Sequence, residues 1–158
     1  MSPARRPASI WALVGVCGLF ASAICRLGWR GVLTIRLGLH PFEWVALALL
    51  TTAFVYGEGI RAIGRRWVPH FIGRARDVGQ VPNAAVRLLA PLYGLSLIDA
   101  SRGELAKAWA GLAAIAAAVV LVQMLPHPWR GIIDFAVAAA LLWGLLAILR
   151  RLPEVFET

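Results

Sequence analysis

Apolar residues along this chain fall in long unbroken runs, not at the alternating or one-face spacing of a soluble element. The first run, Ala8 to Ile24, follows Arg5 and Arg6 and predicts a spanning helix over residues 8–25. Its charged start and the Ala21-Ser22-Ala23 triplet also have the form of a secretory signal, which we read as retained. From Arg26 to His40 charges and glycines interrupt the run, and Leu33, Ile35, Leu37 and Leu39 alternate with Thr34, Arg36, Gly38 and His40. That period of two predicts an extended interfacial connector over 26–40. Pro41 suits the first turn of a helix and Glu43 its positive end. The apolar run that follows, Trp44 to Tyr56, is too short to cross the hydrocarbon alone. The second span is therefore carried through Glu58 to 65, and Val68-Pro69 is expected to end it.

Residues 66–100 read as a connection rich in proline and arginine, with Ala84 to Ile98 forming a short helix on or in the membrane surface. Ser101 and Glu104 make a capping box for a third span over 102–125, stopped by Pro126-His127-Pro128. The fourth covers 129–151 and closes on Arg150 and Arg151, where cations suit the dipole. The pattern is that of an all-α membrane protein with about four transmembrane helices plus a short interfacial helix, forming a single membrane domain over 1–158.

Composition agrees, with 60% hydrophobic residues and a mean hydropathy of +0.75. The net charge of +8 would point a soluble protein toward nucleic acid, but here a membrane accounts for it and no nucleic acid is expected. With a cytoplasmic N-terminus, Arg5, Arg6, Arg61, Arg65, Arg66, Arg74, Arg76, Arg87, Arg102, Lys107, Arg150 and Arg151 fall inside, and only Arg26, Arg30, Arg36 and Arg130 outside. That asymmetry predicts a multi-pass membrane protein with both termini cytoplasmic, and the membrane is expected to be a bacterial inner membrane. Trp29, Trp44, Trp67 and Trp129 fall at segment ends, as an aromatic belt would. Trp29-Arg30-Gly31 and Trp129-Arg130-Gly131 form a faint internal repeat.

Chemistry is sparse. Glu58, flanked by Gly57 and Gly59, is a carboxylate inside a span and so a candidate functional residue, with Arg61 spaced to pair with it. Asp134 stands four residues after Arg130, which permits a second pair. Arg61, Arg65, Arg66, Arg74, Arg76 and Arg87 are candidates for anionic lipid head groups on the cytoplasmic side. His40, His70 and His127 share no helix face, so no metal site is expected, and no cofactor motif or phosphate loop occurs. Cys17 and Cys25 lie too far apart on one helix to bridge and read as small apolar residues. Ser9, Ser22, Ser96 and Ser101 have no evident base partner. Packing signals are stronger: Ala136, Ala140 and Gly144, then Ala106, Ala110, Ala114 and Ala118, and Gly18 with Ser22, recur at every fourth residue.

Two stretches resemble motifs of an uncharacterised family of small bacterial and cyanobacterial membrane proteins. One is Glu58-Gly59-Ile60-Arg61 with Arg65-Arg66-Trp67-Val68-Pro69 following; the other is Leu125-Pro126-His127-Pro128-Trp129-Arg130-Gly131-Ile132-Ile133-Asp134. The resemblance rests on Glu58, Arg61, Pro69, Trp129, Arg130 and Asp134, and implies no activity. Three functions compete on the sequence alone. The first is a non-enzymatic membrane subunit or scaffold, packing against other membrane subunits or further copies of itself. The second is a small oligomeric carrier that moves protons or cations through Glu58. The third is a membrane enzyme or a protein that handles anionic lipid.

Overall fold

The structure, a computed structural model, describes residues 6–156; Arg5 lies outside them. The described residues hold helices and no strand: α1 (Arg6–Arg36), α2 (Pro41–Phe54), a π-helical segment (Val55–Trp67), α3 (Val68–Asp77), α4 (Ala84–Leu88), α5 (Ala90–Gly94), α6 (Arg102–Gln123), α7 (Trp129–Arg150) and α8 (Leu152–Phe156). Four of the continuous helical stretches are long and apolar enough to cross a membrane.

Two boundaries differ from expectation, and both move charge. Instead of ending before Arg26, α1 runs on through Arg30 to Arg36, 31 residues and about 46 Å at 1.5 Å per residue. The alternation over 33–40 does not become a strand, because Thr34 is buried in a helix seam and no neighbouring strand exists for it to pair with. Gly38, at a φ of +94°, ends the helix in the left-handed conformation that glycine adopts without penalty. Nor does Val68-Pro69 end the second span. The helix continues unbroken from Pro41 to Gln80. Its middle 13 residues widen into π geometry, and Pro69 falls where the ladder changes step, with the Val68 N–H still reaching back five residues to Ile63. The wide turn moves the carbonyl that an α-turn would set against the proline ring.

The sequence starts α2 as expected, with Pro41 in its first turn and the His40 N–H donating to Glu43 Oε2 at 2.7 Å. Phe42 meets Trp129 edge-on at 6.2 Å, so α2 and α7 begin at the same level and run parallel. α1 runs antiparallel to both. Gly31 lies against Phe135, Gly131 against Thr34, Gly28 opposite Ala138 and Phe20 against Gly144.

At the other end of the bundle, α3, α5, α8 and the start of α1 close a second layer. Its core is Leu13, Val16, Val68, Phe71, Val78, Tyr93, Ile148 and Val155. Trp67, expected at a segment end, is instead stacked between Phe20 at 5.7 Å and Phe71 at 5.0 Å. The apolar stretch 84–98 is not one interfacial helix either. Pro91 breaks it into α4 and α5, and Ala90, Tyr93 and Gly94 of α5 are buried against protein. α6 is the exception throughout. None of its residues is buried, and it touches the bundle chiefly through α7.

Candidate functional site

The contacts along α7 place the charged residues in depth. α7 is 22 residues long, about 33 Å, and Ala140 stands about 16 Å from its start, close to the midpoint. Gly59 packs on the backbone of Ala140, so Glu58 stands at the middle of the bundle and not near one end. On the opposite flank, Gly28 faces Ala138, and Arg26, two residues earlier on an antiparallel helix, is also level with Ala140. Arg30 follows one turn further on. Arg26, Arg30 and Glu58 are all exposed.

Glu58 does not pair with Arg61; among the described residues the only close ion pairs are His70–Glu104 and Arg151–Glu154. The π geometry is the reason. With acceptors five residues back instead of four, residues three apart no longer stand one above the other. Arg61, Arg65 and Arg66 are exposed further along the same segment.

Asp134 is the one buried carboxylate in a span, 5% exposed, and its Oδ2 has no hydrogen-bond partner. It shares a helix face with Gly131 and Ala138, the face turned to α1. Arg30 and Arg130 are the two cations whose charge reaches it. The expected Arg130–Asp134 pair does not close, since the carboxylate is shut into the α1 seam while Arg130 stays half-exposed beside the turn. Near by, an open groove of about 400 Å³ runs between α1, α2 and α7, lined by Ile35, Trp44, Leu47, Ala48, Thr51, Thr52 and Phe135. No ionisable side chain lines it.

The stripe Ala136, Ala140 and Gly144 is buried within the chain, against the π segment and α1. The equivalent stripe on α6, Ala106, Ala110, Ala114 and Ala118, is exposed, and so are Gly18 and Ser22 of α1.

Neither the family models nor the curated proteins nor the solved structures compared with the chain match it.

A second polar group lies in the end layer and was not legible in advance. Arg74, expected at a lipid head group, is held by protein: Nε donates to the Tyr93 carbonyl at 2.7 Å, and Nη2 to those of Ile98 at 3.1 Å and Asp99 at 2.9 Å. Its guanidinium lies 3.9 Å from the Tyr93 ring centroid. Beside it His70 Nε2 is 3.0 Å from Ser96 Oγ and 3.9 Å from Glu104 Oε1. Ser96 has a φ of +59°, but α5 explains this. The Ser96 N–H bonds to Tyr93 O and the Leu97 N–H to Leu92 O, a Schellman closure that requires a left-handed residue at Ser96. One histidine nitrogen facing both partners cannot relay a proton from serine to carboxylate, which needs the two ring nitrogens separately. The group fastens α3, the α5 turn and the start of α6 together.

Of the remaining arginines expected on the cytoplasmic side, Arg76 and Arg87 are exposed. Arg87 lines an open groove of about 450 Å³ with Pro7, Ala8, Trp11, Ala84 and Leu88, where Trp11 Nε1 donates to Leu88 O at 2.9 Å. Among the described residues no group of three or more metal-ligating side chains occurs.

Proposed function

We propose that this chain is a non-enzymatic subunit or scaffold of a membrane assembly, completed by partner helices that cover its charged mid-height. The carrying observation is the exposure of Arg26 and Glu58 level with the middle of α7, with no ion-pair partner among the described residues. A charge facing lipid at the bilayer centre costs roughly 2.5–3.5 kcal/mol even on the lenient insertion scales. Covering both charges with protein removes that cost. α6 supports the same reading, because a span with no buried residue keeps most of its surface free to pack on another chain.

The carrier reading loses support, since Glu58 meets no other charge at a cavity and the groove beside α2 lacks ionisable lining. Lipid chemistry loses Arg74 to backbone carbonyls. Exposed Arg61, Arg65, Arg66, Arg76 and Arg87 still favour anionic head groups around the end layer. We place that layer in the bacterial cytoplasm, because with Arg26 and Arg30 at mid-height only Arg36 and Arg130 remain at the turn end.

The reading is tested by the mass of the protein extracted from native membranes in a mild detergent and measured with detergent subtracted. A complex well above the 17.1 kDa of one chain is expected. A homogeneous single chain with full native behaviour contradicts the proposal.

A further inference from the structure

We infer that the partner at mid-height is a second copy of this chain, with Arg26 of each copy paired to Glu58 of the other. This rests on the subunit reading above and names its partner. The argument is charge complementarity at matched depth. Arg26 on α1 and Glu58 on the π segment are opposite in sign, exposed, unpaired among the described residues and both level with Ala140. α7 lies between α1 and the π segment, and a two-fold axis along the membrane normal that faces this row keeps depth unchanged and sets α1 of each copy against the π segment of the other, closing both pairs at once. A partner of any other kind would have to supply a carboxylate for one flank and a cation for the other at the same level. The approach surface also suits a helix. Gly18 and Ser22 precede Arg26 on the exposed face of α1 at four-residue spacing, and Gly57 beside Glu58 has nothing within 4 Å. Arg30, one turn beyond Arg26, adds a second cation to the same flank.

Cys25, exposed and adjacent to Arg26, provides a native reporter. In membranes containing the Cys17→Ala, Gly57→Cys chain, a mild oxidant should join Cys25 of one copy to the thiol at position 57 of the other. The product is a reducible band at twice the chain mass. Adding Glu58→Arg should lower the cross-linked fraction about tenfold, because one partner of a desolvated pair is then opposed by a like charge. Adding Arg26→Glu to that variant should restore it. Where reversal impairs membrane insertion, Glu58→Gln replaces it with the same expected loss. No band at doubled mass, a band undiminished by Glu58→Arg, or a swap that inserts yet stays uncoupled overturns the inference. A chain that fails to cross-link but still extracts above its own mass has a different partner, and the subunit reading stands; one that fails both loses both.

Discussion

Replacing Gly144 by leucine should lower the melting temperature of the protein by roughly 4–8 °C, the shift that a loss of about 2 kcal/mol produces in a chain of this size. A Cβ at this position would already lie 2.7 Å from Ile63 Cγ2 and 3.1 Å from Phe20 Cε1. α7 therefore touches the π segment and α1 at one point, and neither neighbour can retreat. Phe20 is stacked on Trp67, and Ile63 packs against the end-layer core. Four added carbons must force the three helices apart. Leu146→Ala is the control, since Leu146 is 40% exposed and its truncation should cost under 1 kcal/mol. Equal effects in the two variants would mean that the Gly144 face does not meet protein.

Arg74→Ala should release the connection between α5 and α6, with amide protection lost over residues 95–101 and stability lowered by about 2–4 kcal/mol. Three backbone carbonyls, those of Tyr93, Ile98 and Asp99, accept from this one guanidinium. Arg74→Lys should recover little, because a compact ammonium cannot span carbonyls on both sides of the turn. Arg76→Ala, at an exposed site in the same helix, should change stability by less than about 0.5 kcal/mol. If Arg74 served a head group instead, its replacement would weaken lipid binding and leave protection of residues 95–101 unaltered.

The number of spans was legible in the sequence because hydropathy over some twenty residues is a strong signal that tertiary context seldom overrides. Helix starts were legible where side chains cap them. Ser101 accepts from the Glu104 N–H at 3.4 Å while Glu104 Oε2 accepts from the Ser101 N–H at 3.1 Å. The far end of α1 was not, since Arg26 and Arg30 looked like residues that must leave the membrane. α1 instead carries both as one helix to Arg36. The π segment was hidden for a different reason. Helical templates assume neighbours at three and four residues, so Glu58 and Arg61 looked paired and Pro69 looked terminal, and both readings depended on α geometry. The His70, Arg74 and Ser96 group could not be seen because it joins residues more than twenty positions apart across a helix expected to have ended.

The mid-height charges hold the account together, and Cys25 measures them directly, because it stands one residue from Arg26. The reagent is an impermeant thiol label on intact cells, applied to chains with a single cysteine: Cys25 alone, Leu37→Cys, or Gly73→Cys. Leu37 is 67% exposed beyond the end of α1, and its replacement should react from outside. Position 73, open on the surface of α3, should react only after the membrane is permeabilised. Cys25 should stay unlabelled in both conditions and react only in detergent. Labelling of Cys25 from outside at the rate of the Leu37 variant would contradict the account, for α1 would then leave the membrane before Arg26 and no charge would need covering.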